Sequence, residues 1–138
     1  MPDVNLIEDD GLEWVKRNKP EFILTDPPFW LMGPCGRICQ DLEITRIYAW
    51  SHDWLSRALG SAVTDHPGEK EVLPYRRIIR AFDFPVICDP FMGSGSIGVA
   101  AVLEGRDFIG IEIDKKWLEV ARGRLNAIQN TTARTVAV

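Results

Sequence analysis

Histidine and cysteine are scarce in this chain, which has two histidines (His52, His66) and three cysteines (Cys35, Cys39, Cys88). An odd cysteine count gives no disulfide framework, and Cys35 with Cys39 has no second cysteine pair to complete a zinc site. No metal is expected. No apolar run approaches the length needed to span a bilayer, and no basic-then-apolar leader heads the chain, so it reads as cytoplasmic. The phosphate-cradling lysine loop G-x-x-x-x-G-K-[ST] occurs nowhere. Nor is the chain basic: its net charge is −4, unlike that of a strongly electrostatic nucleic-acid binder. Internal repeats and low-complexity segments are absent too.

What is present is the composition of a soluble globular protein, 46% hydrophobic and 26% charged, in 138 residues. That length makes a single domain, 1–138, with a real core but little room for a large substrate. Charge is spread unevenly. Residues 1–30 carry a net −4, whereas residues 31–80 carry +1 and group Arg76, Arg77 and Arg80 together. That group reads equally well as a solvated helix face or as a phosphate contact.

The most informative stretch is Cys88-Asp89-Pro90-Phe91-Met92-Gly93-Ser94-Gly95-Ser96. An apolar segment, Phe84 to Ile87, leads into it, and a small-residue helical segment, Ile97 to Leu103, leads out. Strand, glycine turn and helix let a backbone approach a nucleotide-like ligand, because glycine has no Cβ in the way. A second apolar strand, Phe108 to Asp114, puts Glu112 about 20 residues after the glycines, where a dinucleotide-type fold holds ribose hydroxyls. Asp89 at the mouth of this loop would repel a pyrophosphate. It suits a ligand carrying a sulfonium and an ammonium, and S-adenosylmethionine fits better than NAD or ATP.

The remaining elements alternate. A short strand at Asn5–Glu8 precedes a helix over Gly11–Asn18, and a buried strand at Glu21–Thr25 is bounded by Pro20 and by Pro27-Pro28. Residues 31–45, with Gly33, Pro34 and Gly36, read as a loop. Ile47–Leu59, with Trp50 and Trp54 four apart, reads as a helix, or as a strand over Ile47–Trp50. A helix is predicted over Leu73–Phe82. The last helix starts at Asp114 as its N-cap and buries Leu118, Ala121, Leu125 and Ile128. Residues 130–138 are expected to be a flexible, patternless tail. This order predicts an α/β fold with a doubly wound, mostly parallel, Rossmann-like sheet of four or five strands.

A second motif follows the buried strand, Thr25-Asp26-Pro27-Pro28-Phe29-Trp30. Asp26 leaves the strand at the sheet edge where open α/β folds bind ligands. Pro27 and Pro28 fix φ and hold the Asp26 and Pro27 carbonyls rigidly, and Phe29 offers a stacking face. A carboxylate, a stiff carbonyl and an aromatic ring match an exocyclic amino group and the plane that bears it.

Asp26-Pro27-Pro28-Phe29 resembles the D-P-P-[YF] motif of the amino-group DNA methyltransferases, and Asp89 to Ser96 resembles their D-P-F-x-G-S-G-[ST] cofactor motif. Gly105 to Glu112 is similar to their G-R-x-[FY]-I-G-[IV]-E segment, and His66-Pro67-Gly68-Glu69-Lys70 to H-P-[TG]-[QE]-K. Asp10-Gly11-Leu12 resembles the acid near their start. The catalytic motif comes before the cofactor motif, as in the permuted, β-type members.

The resemblance implies S-adenosylmethionine lying across 89–95, held by Asp89, Pro90, Phe91, Gly93, Ser94, Gly95 and Lys70. Glu112 would then sit on the ribose and Asp10 near the adenine. It further implies a flipped DNA base whose amino group is polarised by Asp26 and the Pro27 carbonyl beside Pro28 and Phe29, with adenine N6 favoured over cytosine N4. Two departures stand out. The interval from Trp30 to Asp65 is short, so 31–65 is a reduced replacement for the target-recognition region. Glu71 stands where the family has proline. A shortened, phage-type methyltransferase is expected, completed by a homodimer partner or another subunit. The alternative is a non-catalytic or partner-dependent S-adenosylmethionine-binding module.

Overall fold

A computed structural model describes residues 1–26, 47–49 and 67–136, with side chains described over 1–26 and 72–135. The calls on 31–65 fall outside the described residues, apart from Ile47–Ala49, which is a strand rather than helix. The elements in chain order are β1 (Val4–Glu8), α1 (Gly11–Asn18), β2 (Ile23–Thr25), β3 (Ile47–Ala49) and α2 (Pro67–Ala81). After these come β4 (Val86–Asp89), α3 (Ser96–Leu103), β5 (Asp107–Glu112) and α4 (Lys115–Val136). The strands form one sheet in the order β1-β5-β4-β2-β3, every neighbouring pair parallel. From β4 the chain goes through α3 to β5 on one side, and from β2 to β3 on the other. The order therefore reverses between β4 and β2, and their carboxyl ends border the crevice such a reversal leaves.

Side-chain alternation sorts the two faces. Phe22, Leu24, Ile87 and Phe108 pack on one face with residues of α2, α3 and α4. Ile23, Cys88 and Ile111 pack on the other with Val15 of α1. Helix α3 is buried along nearly its whole length, which its run of small and apolar residues permits. A Cβ on its Gly98 would overlap the Phe108 ring, so the missing side chain sets how closely α3 lies on β5.

Helix α1 has the bounds its sequence gives, capped by Asp10 Oδ1, which accepts from the Glu13 N–H at 3.1 Å. Helix α2 starts at Pro67, not Leu73, and carries Pro74 inside it. Pro67 occupies the first helical position, where a missing N–H costs nothing. Helix α4 is begun by Asp114 as expected, its Oδ1 accepting from the Lys116 N–H at 2.9 Å. Of the residues read as a tail, 130–138, those through Val136 are helical as part of α4, and 137–138 lie outside the described residues. Thr131, Thr132 and Thr135 donate their hydroxyls to the carbonyls of Ala127, Ile128 and Thr131 at 2.9–3.1 Å. Threonine can thus satisfy itself on a helix without the apolar period that would announce it.

Arg76 and Arg80 are committed within the fold. Their Nε atoms donate to Oε1 and Oε2 of Glu104 at 2.6 and 2.9 Å, tying α2 to the end of α3.

Gly11 opens α1 against the turn after β4, and a Cβ there would overlap the Pro90 carbonyl oxygen. A backbone oxygen cannot swing aside as a side chain can. Gly11→Ala is therefore expected to cost about 1–3 kcal/mol, as overpacking does elsewhere. A urea midpoint unchanged from wild type would show that α1 and this turn are not in the contact described.

Candidate active site

β4 ends in Asp89, whose side chain is buried rather than set at the mouth of the loop; the residue is 1% exposed. Its Oδ1 accepts from the Thr25 hydroxyl at 2.7 Å and from the Phe91 N–H at 3.0 Å. Burial pushes this carboxyl up to about 7, against the pull of those two hydrogen bonds, and the charges of Asp26 and Glu112 add to the rise. Burial also raises the neighbouring Cys88 thiol, which stays protonated.

Beyond Asp89 the chain turns tightly. The Met92 N–H donates to the Ile111 carbonyl and the Gly95 N–H to the Met92 carbonyl, both at 3.0 Å. Gly93 and Gly95 adopt φ of 54° and 85°, a region in which a side chain is strained. Among the described residues, a Cβ on Gly93 would meet nothing within 4 Å. Gly95 instead lies against α4, where a Cβ would come 3.0 Å from that of Ala121. Met92 is buried over Gly110, whose own Cβ would overlap its sulfur. Arg124 of α4 holds the turn from the side: its Nη1 donates to the Ser94 carbonyl and Oγ at 3.0 Å and to Ser96 Oγ at 3.1 Å.

Beside this turn, β5 ends in Glu112. Its Oε2 accepts from the Ile113 N–H at 2.9 Å, and its Oε1 accepts no hydrogen bond among the described residues. β1 pairs with β5 up to Glu8 opposite Glu112, so the chain leaving β1 brings Asp9 and Asp10 to the same edge. Asp10 spends Oδ1 on capping α1. Asp26 follows β2 on the opposite side of Asp89. The carboxyl edge of four adjacent strands thus gathers Asp10, Glu112, Asp89 and Asp26 around a glycine turn. Such a rim favours a cation or hydroxyl donors over an anion such as pyrophosphate. No cluster of metal-ligating groups occurs among the described residues.

The structure therefore brings together Asp10, Glu112, Asp26 and the whole run Asp89, Pro90, Phe91, Gly93, Ser94 and Gly95. Pro27, Pro28 and Phe29 lie outside the described residues, as does the side chain of Lys70 on α2. Sequence reasoning missed Thr25, Gly11 and Arg124. Thr25 was visible as the one hydroxyl closing an apolar strand. Arg124 sits beside the buried Ala121 and Leu125 on the helical stripe, which is the signal that it leans toward the core.

A carboxyl whose folded value lies near 7, above the ordinary 3.8, binds a proton more tightly in the folded chain. Its contribution to stability is therefore full below about pH 4 and lost as pH rises through 7. Asp89→Asn keeps an oxygen for Thr25 and Phe91 and has no charge to bury. The variant is expected to match wild type at pH 4 and to exceed it by about 2–4 kcal/mol at pH 8, measured by urea unfolding. A variant less stable than wild type at pH 8 would show that Asp89 is ionised at little cost.

Comparison with known proteins adds the following. A family model described as DNA methylase, for N6 and N4 methyltransferases, matches residues 39–123, a span that includes the glycine turn and β5 but begins after Asp26. The Type II methyltransferase M2.DpnII of Streptococcus pneumoniae is 46% identical over 68 residues, 48% of this chain and 25% of its own length. The DNA adenine methyltransferase YhdJ of Escherichia coli (strain K12) is 35% identical over 83 residues, 59% of this chain and 28% of its own. The chain thus spans about a quarter to a third of the curated relatives it matches. In fold it is similar to the crystal structure of M1.HpyAVI, with a TM-score of 0.62 at 18% identity over 89% of this chain and 98% of that one. The structure titled M1.HpyAVI-SAM complex gives 0.60 at 19% identity, over 88% and 100%. With more than half of its residues matched by the family model, the chain belongs to the N6/N4 DNA methylase family.

Proposed function

We propose that this chain binds S-adenosylmethionine at the turn Asp89–Gly95 and directs methyl transfer to an exocyclic amino group of a DNA base, adenine N6 in preference to cytosine N4. The observation that carries this reading is a buried carboxyl, its titration raised toward neutrality, set below a glycine turn and beside a carboxylate whose Oε1 accepts no hydrogen bond among the described residues. A neutral or anionic ligand gains nothing from such a charge, whereas a cationic one offsets the cost of burying it. Membership of the family supports the same reading.

Each group then has a task. Asp89 supplies the negative charge that faces a cationic ligand. Glu112 Oε1 accepts from ribose hydroxyls, Asp10 stands near the adenine, and Lys70 belongs with the cofactor residues. Pro90, Phe91, Gly93, Ser94 and Gly95 form the wall along which the ligand lies. When bound, the cofactor supplies an electrophilic methyl group on a sulfonium. Asp26 accepts an N–H of the target amino group, aided by the Pro27 carbonyl, while Pro28 stiffens the turn and Phe29 stacks the base. That polarisation is needed because the nitrogen lone pair is otherwise delocalised into the ring.

A partner-dependent reading has one observation in its favour: among the described residues one face of the sheet carries α1 alone, and parallel sheets normally bury both faces. A second copy or another subunit would cover that face and complete target recognition, in the cytoplasm where DNA is available. No described helix is long and apolar enough to cross a membrane.

Calorimetry with S-adenosylmethionine or S-adenosylhomocysteine is expected to give micromolar binding, weakened in Glu112→Ala by roughly 1.5–3 kcal/mol. No heat with either ligand would overturn the cofactor assignment. Asp26→Ala is expected to bind cofactor nearly as wild type does and to lose on the order of 10²–10³ in single-turnover transfer to DNA. The transfer assay is run with and without candidate partner proteins. Transfer retained by Asp26→Ala would remove Asp26 from catalysis, and transfer seen only with a partner would favour the partner-dependent reading.

A further inference from the structure

We propose that Thr25 is a positioning residue, one whose hydroxyl fastens the end of β2, and with it Asp26, to the buried carboxylate of the glycine turn. The proposal rests on the cofactor reading above for its purpose, though not for its geometry. β4 and β5 are in register along the whole of β4, from Val86 opposite Asp107 to Asp89 opposite Gly110. β2 and β4 share only the register pair Ile23 and Cys88, supported by the Cys88 N–H donating to the Phe22 carbonyl at 3.2 Å. The ladder between β2 and β4 thus stops short of the carboxyl edge, at the place where the two halves of the sheet diverge. From there the junction is carried by a side chain: Thr25 Oγ1 donates to Asp89 Oδ1 at 2.7 Å, both residues being buried.

One bond so placed has two consequences. It fixes the residue just before Asp26 against the turn that would carry the methyl donor, so acceptor and donor share one frame. It also favours the ionised form of Asp89, the form a cationic ligand needs. The groups acting on that carboxyl are the Phe91 N–H of the turn, Asp26 from β2 and Glu112 from β5, with the neutral Cys88 thiol beside it. Asp26 and Glu112 both disfavour its charge, so among these side chains only Thr25 works in its favour. A valine would keep the shape and burial of Thr25 and remove this donor. A serine would keep the donor.

The test uses Thr25→Val and Thr25→Ser in the full chain. The free proteins are followed by carboxyl-carbon NMR titration of Asp89 and by hydrogen exchange of the Cys88 amide, and S-adenosylhomocysteine binding is then measured by calorimetry between pH 6 and 8. Thr25→Val is expected to move the Asp89 midpoint upward, to speed Cys88 exchange beyond what its global stability explains, and to weaken binding several-fold at pH 7 with recovery at pH 8. Thr25→Ser is expected to restore all three toward wild type. An Asp89 midpoint and a Cys88 exchange rate left unmoved by Thr25→Val would overturn the proposal, and so would a loss that Thr25→Ser does not restore. Wild type that binds neither S-adenosylmethionine nor S-adenosylhomocysteine would instead overturn the cofactor reading, with the titration and the exchange still deciding the role of Thr25.

Discussion

The structure turns on a single costly placement, the burial of Asp89 where β4, β2 and β5 meet. An ionised carboxylate out of water is unfavourable unless something compensates it. Two hydrogen bonds to one oxygen offset part of that cost, while the nearby charges of Asp26 and Glu112 add to it. The free chain therefore holds a carboxyl that titrates close to neutrality. Such a group is poised for a positively charged ligand, which would supply what the fold itself withholds. The strand order decides where this happens, since the reversal between β4 and β2 opens the crevice at the same edge.

Rigidity around that carboxyl comes from close packing of small residues and from a few directed bonds. Gly11 admits the Pro90 carbonyl, Gly110 admits the Met92 sulfur, and Gly95 admits Ala121. Arg124 binds the turn at three oxygens from the outside. The turn is thereby shaped before any ligand arrives, which lowers the ordering cost of binding. Gly93 is different, because its conformation demands glycine while no described residue lies within 4 Å of where its Cβ would be.

Much of this was legible in the sequence, because β4, the turn, α3 and β5 are consecutive and their signals local. The apolar runs, the two glycines and Glu112 stand in one stretch of about 25 residues, and the structure keeps them adjacent. Helix α1 was equally plain, with a cap, an amphipathic turn and a stop. Pairings across the chain were not legible. Thr25 meets Asp89 only because β2 lies beside β4, and no local pattern encodes that neighbour. Arg76 and Arg80 read equally well as a solvated face or a phosphate contact, and their pairing with Glu104 at the end of α3 had no local signal. The end of α4 was missed for a different reason: threonines that bond back to their own helix need no apolar stripe. Asp26 was legible as a strand-end carboxylate, and the structure sets it beside Asp89.

All of these features converge on the claim that the turn binds its cationic ligand with Asp89 ionised. If so, binding must expel the proton that the free carboxyl holds below its titration midpoint. Calorimetry of S-adenosylmethionine binding in two buffers of different ionisation enthalpy counts that proton directly. The account predicts release of about 0.9 proton per ligand at pH 6, falling toward zero by pH 8 in wild type, and none at either pH in Asp89→Asn. Binding that releases no proton at pH 6 in wild type would contradict it.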